Sequence, residues 1–60
     1  MAANEFRVLR ERAGLSREVV AAALACSVAD VAAWETGRRT IPLEIAESMR
    51  YLGREGVTNQ

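Results

Sequence analysis

The feature that most restricts the fold is the segment from Ser27 to Arg39, SVADVAAWETGRR, because it carries both a helix-start and a helix-stop signal. Ser27 is a good N-cap residue, and Asp30 three positions later completes a capping box of the S-x-x-[DE] type. Gly37 favours a helix end, since glycine readily adopts the left-handed conformation found there. Trp34, the only tryptophan, lies between these signals. The segment therefore predicts one short helix that a single large side chain fixes to the core.

Similar signals divide the remainder of the chain into three further helices. Asn4 can cap a first helix, which Gly14 would end, and Ser16 is a good N-cap for a second. Pro42 fits the first turn of a fourth helix, where its missing N–H carries no penalty. No stretch shows the alternation of apolar and polar residues that is typical of a strand. The predicted helices cover residues 5–13, 17 to 24 or 25, 28–36 and 42–52.

The length allows one small domain with an all-α fold. A chain of 60 residues buries only about 60% of the surface that it exposes when unfolded, so its stability should be modest. Aromatic residues make up 5% of the chain, and the core must therefore be mainly aliphatic. We expect a single domain over 1–60 with an ordered part at about 5–53. Gly53 and Gly56 interrupt the fourth helix, and the tail 54–60 is expected to fray.

Charge and composition exclude several classes of function. Eight arginines balance eight acidic residues, so the chain lacks the basic excess of a dedicated non-specific nucleic-acid binder. The single Cys26 and the absence of histidine exclude an internal disulfide and a Cys/His zinc site, so neither a metal nor a cofactor is expected. No apolar run approaches the roughly 20 residues of a membrane span, and no signal peptide is recognisable. We expect a cytoplasmic, nucleoid-associated protein without a membrane partner or small-molecule ligand.

Two short helices joined by a turn at residues 25–27, with the second helix capped and carrying the tryptophan, predict a helix-turn-helix. The segment LRERAGLSREVVAAALACSVADVAAWETGRRTIP resembles the Cro/C1-type (xenobiotic-response-element) helix-turn-helix domain of phage and bacterial repressors. Its most specific features are Gly14-Leu15-Ser16 and the block Trp34-Glu35-Thr36-Gly37-Arg38-Arg39 at the matching distance. The resemblance covers residues 5–52.

The resemblance implies a compact, lambda-repressor-like bundle of about four helices, with the third helix in the major groove of DNA. Such proteins bind short palindromic operators as dimers and repress transcription. By resemblance, Arg17 reaches a phosphate or an outer base, and Arg38 and Arg39 contact phosphates. The remaining matches are structural, and they comprise Trp34 in the core, Gly37 at the helix end, and an ion pair between Arg10 and Glu35.

The groove-facing positions of the third helix depart from the usual polar residues of that family. The groove-facing positions are Val28, Ala29, Ala32 and Ala33. On a helical wheel Val31 and Trp34 point inward, the opposite side consists of Ala29, Ala32, Ala33 and Thr36, and Val28 and Asp30 flank its edges. Alanine side chains neither donate nor accept hydrogen bonds, although they and valine can touch thymine methyl groups. The face can therefore meet DNA through van der Waals contact and DNA shape, or it can meet a protein. Asp30, at the margin of this face, either caps the helix or accepts a hydrogen bond from a cytosine amino group.

The fourth helix carries an apolar stripe outside the predicted core. Leu43, Glu47 and Tyr51 recur at i, i+4 and i+8, and Leu43 and Tyr51 are candidates for a dimer contact. We expect a weak homodimer that forms on the operator.

Two functions remain open from the sequence. The first is a small, sequence-specific DNA-binding transcriptional regulator of the Cro-like repressor type. The alternative is a helix-turn-helix module used for protein–protein interaction with a partner repressor, a toxin or polymerase. An enzyme is not expected, because neither a serine–base pair nor a glycine-rich phosphate loop is recognisable.

Overall fold

The computed structural model describes the backbone of residues 1–58 and the side chains of residues 1–54. Four helices and no strand are present in this part of the chain, which confirms the all-α prediction. Successive helices are joined by short connections. The helices are α1 (Ala3–Arg12), α2 (Arg17–Ala23), α3 (Val28–Glu35) and α4 (Leu43–Thr58).

The starts of α2 and α3 follow the predicted capping signals. The Ser16 hydroxyl accepts a hydrogen bond from the backbone N–H of Val19 at 3.1 Å. At α3 the Ser27 hydroxyl accepts from the Asp30 N–H at 3.0 Å, and the Asp30 carboxylate accepts from the Ser27 N–H at 3.2 Å. This reciprocal pair is the predicted capping box, and it satisfies backbone donors that the first turn of a helix leaves free.

The predicted N-cap of α1 is wrong. The helix begins two residues earlier than expected, with Ala2 as its N-cap and no side-chain cap. Asn4 lies inside the first turn, where its Oδ1 atom accepts from Arg7 Nη2 at 2.8 Å. Met1 packs against the core, so the residues before Asn4 belong to the folded part of the chain.

The first three helices end in the same backbone motif, which reverses the chain within a few residues. In each case one residue adopts a left-handed conformation, with φ values of +74° at Gly14, +57° at Ala25 and +77° at Gly37. At the end of α2 the Cys26 N–H donates to the Ala21 carbonyl at 2.9 Å, and equivalent bonds close the other two helices. These are Schellman motifs, which favour glycine at the left-handed position. Ala25 is the exception, because an L-residue there is disfavoured by roughly 1–2 kcal/mol.

The core lies where α1 crosses the other helices. Phe6 and Trp34 pack as a tilted aromatic pair with ring centroids 6.0 Å apart. Trp34 is buried, as predicted, and connects α3 to α1. Ile41, in the loop before α4, and Ala46 also belong to this core. The buried apolar residues are Phe6, Val20, Ala21, Val31, Trp34, Ile41, Ala46 and Met49.

The expected interruption of α4 at its glycines is wrong, because the helix continues through Gly53 and beyond to Thr58. Gly53 is buried against α1, and a Cβ atom at this position would lie 3.2 Å from Leu9 Cδ2. The glycine therefore permits the close approach of α1 and α4 rather than ending the helix. Pro42 precedes the helix, and its carbonyl accepts from the Ala46 N–H at 2.9 Å. Residues 59–60, within the tail predicted to fray, lie outside the described residues.

Candidate nucleic-acid interface

The α2–turn–α3 unit is held by apolar contacts on one side, which leaves its other side exposed. Val20 and Ala21 of α2 are buried together with Val31 of α3, and both helices pack as a pair beside α1. The connecting residues lie between the left-handed Ala25 and the N-cap Ser27. Two short helices joined by such a tight turn form a helix-turn-helix.

The outward row of α3 consists of small side chains without hydrogen-bonding groups, as predicted. Ala29 is exposed and Val28 is 39% exposed, whereas Ala32 and Ala33 are half-buried. Thr36 follows on the same side, but its hydroxyl donates to the Ala32 carbonyl at 2.8 Å and is therefore already engaged. The accessible centre of the row is thus Ala29, and the two later alanines are less prominent than a helical wheel suggests.

A buried carboxylate connects three segments beneath this face. The Glu35 side chain is only 1% exposed and accepts from Arg10 Nε at 2.5 Å and from Arg10 Nη2 at 3.2 Å. The ion pair implied by the family resemblance is therefore present. Arg10 Nη1 also donates to the Leu15 carbonyl at 2.9 Å, which ties α1 to the start of the helix-turn-helix. The hydrogen bonds that Arg10 donates to the Glu35 carboxylate hold the pKa of the Arg10 guanidinium above its usual value.

Arg17 is the third member of this cluster, which sequence analysis did not foresee. Its Nε donates to Glu35 Oε1 at 3.2 Å, while its side chain remains 42% exposed. The two Nη groups make no hydrogen bond to another described residue, so they remain accessible to a ligand. A cation at a helix N-terminus is disfavoured by the helix dipole, and the Glu35 carboxylate offsets that effect.

Arg38 and Arg39 follow α3 in an exposed loop, but their surroundings differ. Arg39 Nη2 donates to Asp30 Oδ1, so this arginine forms an ion pair with the first turn of α3. The Arg39 guanidinium, together with the Ser27 N–H, holds the pKa of the Asp30 carboxyl below its usual range. Arg38 is exposed and has no ion pair or side-chain hydrogen bond among the described residues. Of these two arginines, Arg38 is the one that offers an unpaired charge.

One exposed apolar residue beside this face was not predicted. Val19 is 51% exposed on α2, although its neighbour Val20 is fully buried. The buried side of α2 falls on Val20 and Ala21, which leaves Val19 outside it. Val19 on α2 and Val28 on α3 are thus the exposed apolar residues of the unit.

The dimer candidates are both strongly exposed on α4. Leu43 is 71% exposed and Tyr51 is 59% exposed. Tyr51 also borders an open groove between α4 and the end of α2, lined by Ala23, Leu24, Ala25, Glu47, Ser48, Tyr51 and Leu52. The structure thus contains the predicted stripe as an accessible surface.

The described residues contain no cluster of His, Cys, Asp or Glu side chains that could bind a metal ion. Cys26 is a half-buried free thiol in the turn, and burial raises its pKa. A raised pKa favours the unreactive thiol over the thiolate. Among the described helices, none has the length and hydropathy needed to cross a lipid bilayer.

A capped α2, a tight turn and a capped α3 that exposes one side define a helix-turn-helix protein, a class whose members act as DNA-binding regulators. Comparison with protein families agrees, since a family model described as a helix-turn-helix domain matches residues 2–57. The chain belongs to this family, which is of the Cro/C1-like kind. No curated protein and no solved structure gives a significant match.

Proposed function

We propose that this protein is a transcriptional repressor of the Cro type, which occupies operator DNA with α3 in the major groove. In helix-turn-helix proteins the second helix enters the groove and the first crosses the phosphate backbone. The order and capping of α2 and α3 support the same assignment here. Bound at a promoter, the domain represses by occupying DNA that polymerase requires. This role needs a binding surface and no chemistry.

The observation that carries the proposal is the distribution of charge around the outward row of α3. The row itself is small and uncharged, with Ala29 at its exposed centre and Val28 beside it. Small side chains let the helix approach the bases closely, and valine can contact thymine methyl groups. Without side-chain hydrogen bonds from this row, sequence preference comes mainly from van der Waals contact and from DNA shape.

Phosphate contacts supply most of the affinity and fix the position of the domain on DNA. Arg38, beyond the end of α3, carries a charge without an intramolecular partner. Arg17, at the start of α2, uses Nε for Glu35 and keeps its Nη groups for a phosphate. The buried carboxylate then acts as a support that orients Arg17.

We further propose that two copies bind a palindromic operator and meet through α4. Leu43 and Tyr51 expose apolar area that a second copy would cover. Replacing Tyr51 with glutamate places a charge in this contact, so self-association and cooperative DNA binding should both fall. Sedimentation at micromolar concentration, with and without a selected operator duplex, measures this effect. Unchanged association of Tyr51→Glu in both conditions would exclude α4 as the dimer contact.

The test of DNA binding is selection of duplexes from a random library, followed by fluorescence anisotropy of the selected sequence. Ala29→Glu should lower affinity at least about 100-fold, because a carboxylate among phosphates is repelled. The variant should remain stable, since an acidic residue in the first turn of a helix is favourable. Ser48→Glu, which adds the same charge at an exposed position of α4, is the matched control on a half-site duplex that takes one copy, because Ser48 lies beside the proposed dimer contact. Equal binding by both variants would exclude α3 as the DNA-contacting helix.

A protein-interaction module is the alternative, and the exposed Val19 favours it. Together with Val28 it gives the unit an apolar surface, on a chain of zero net charge. In that case Ala29→Glu should abolish capture of a protein partner, whereas Arg38→Ala should leave capture intact. No duplex should be enriched by the selection. DNA-dependent binding that weakens with salt would instead support the repressor.

A further inference from the structure

Asp30 makes two hydrogen bonds of different kinds, one with each carboxylate oxygen. Oδ2 accepts from the Ser27 backbone N–H at 3.2 Å and completes the cap of α3. Oδ1 accepts from Arg39 Nη2 across the loop that follows the helix. The cap requires only an acceptor, which a neutral asparagine also provides. The negative charge of Asp30 is favourable in the first turn of α3, and it also pairs with Arg39, which the cap itself does not require.

This ion pair lies at the margin of the proposed DNA-binding face. Asp30 follows Ala29, the exposed centre of that face, by one residue and is itself one-third exposed. The Arg39 side chain is 55% exposed, so both charges are accessible to a nucleic acid. While the pair is intact, the charge of Arg39 is balanced by a carboxylate. Contact with DNA brings that carboxylate close to phosphates, which repel it.

We propose that Asp30 is a specificity-determining residue, an inference that rests on the proposed DNA-binding function. On non-specific DNA, Asp30 holds Arg39 in the ion pair and away from the phosphates. Where a cytosine amino group donates to the Asp30 carboxylate in place of Arg39, the arginine is released to contact a phosphate. In the major groove the N4 amino group of cytosine is the donor that suits a carboxylate. On other sequences the carboxylate would lose water without gaining a donor, which is unfavourable.

Asp30→Asn tests the inference, because the amide oxygen can still accept from the Ser27 N–H while the charge is lost. The probe is a random-sequence duplex, with affinity measured by fluorescence anisotropy over a range of salt concentrations. Removing the ion pair and the repulsion should raise random-DNA affinity about five- to tenfold at low salt. The slope of log K against log[salt] should steepen by about 0.9 per protomer for one added phosphate contact. Selection should also lose its preference for cytosine at one position.

Two variants separate this effect from changes in the cap. Ser27→Ala removes the hydroxyl cap but leaves the ion pair, so it should lower stability without raising random-DNA affinity. Arg39→Gln removes the cation, so in that background Asp30→Asn should relieve only the repulsion, with a smaller gain and no added phosphate contact in the salt slope. A gain of full size, with the slope steepened by about 0.9 per protomer beside Arg39→Gln, would overturn the inference.

The result also separates this inference from the proposed function. If the wild-type protein enriches a sequence but Asp30→Asn binds random DNA no more tightly, the role of Asp30 is wrong and the repressor proposal stands. If neither protein binds any duplex, both are wrong. A gain in random-DNA affinity together with a lower ratio of selected to random affinity would support both.

Discussion

Replacement of Glu35 with glutamine tests how much of the stability depends on the buried ion cluster. The carboxylate accepts three hydrogen bonds, two from Arg10 and one from Arg17, and its side chain is 1% exposed. A glutamine oxygen at the Oε1 position can keep two of these bonds, those from Arg10 Nη2 and Arg17 Nε. Its NH2 group, however, is a donor placed against guanidinium donors, so at least one buried group loses its partner.

The expected cost is large relative to the stability of the domain. Breaking a buried ion pair by removing one charge costs about 3–5 kcal/mol, because the other charge stays buried without compensation. Arg10 is 13% exposed, and its Nε would lose its acceptor, whereas its Nη1 keeps the Leu15 carbonyl and its Nη2 keeps the amide oxygen. The hydrogen bonds that the amide oxygen retains place the cost of Glu35→Gln near the lower end, at about 3 kcal/mol. A chain of 60 residues has a total stability of roughly 3–9 kcal/mol at 0.05–0.15 kcal/mol per residue.

Urea denaturation followed by circular dichroism measures this loss. With a slope of about 1 kcal/mol per molar urea, the midpoint should fall by about 3 M, or the variant should be unfolded without denaturant. The double variant Arg10→Met with Glu35→Leu is the control, because replacing a whole buried pair with apolar residues is often neutral. It should recover most of the lost stability. A cost of less than 1 kcal/mol for Glu35→Gln, or a double variant as unstable as the single one, would refute this reasoning.

Four further predictions follow from individual contacts. Trp34→Ala should cost about 3–5 kcal/mol and leave the chain unfolded by circular dichroism, since it removes the largest core side chain. Ala25→Gly should add about 0.5–1 kcal/mol in urea denaturation, because it relieves the left-handed backbone. Gly53→Val should cost about 1–3 kcal/mol in the same measurement by forcing α4 away from Leu9. The free energy of unfolding should fall with acid below about pH 4, and it should fall less in Asp30→Asn. The pKa of the Asp30 carboxyl is lower in the folded than in the unfolded protein, so the unfolded carboxyl takes up its proton first. The stabilisation from Asp30 is therefore present above about pH 4 and is lost as the pH falls through the folded pKa.

Much of the fold could be predicted because local signals in this chain agree with the tertiary structure. Ser16 and Ser27 each precede a helix and cap it as expected, and Gly14 and Gly37 end helices. The prediction was wrong where a tertiary contact outweighed a local preference. Gly53 has low helix propensity, yet its lack of a side chain permits α1 and α4 to pack closely. A single sequence does not show such an approach between distant segments.

The family resemblance indicated the Arg10–Glu35 ion pair, but the sequence did not predict the other pairings around the outward row of α3. The helical period and the resemblance identified the outward row of α3 and the arginines around it. Neither showed that Arg17 donates to the same Glu35 carboxylate as Arg10, or that Arg39 forms an ion pair with Asp30. These pairs join residues 9 to 25 positions apart, and they depend on how the helices and loops approach one another.

The pairings change the expected interaction with DNA. Counting Arg17, Arg38 and Arg39 as free would give about six phosphate contacts in a dimer and a salt slope near −5. With Arg39 held by Asp30, the proposed dimer would keep about four contacts on random DNA, and the slope should be about −3.6. Specificity depends on the difference between operator and random affinities, so a mechanism that weakens random binding improves discrimination without any new base contact. The α3 face has few hydrogen-bonding groups, so the ion pair that restrains Arg39 can improve selectivity by weakening the binding of random DNA. The slope on random DNA distinguishes the two cases, and a value near −5 for the wild-type protein would show that Arg39 is not restrained.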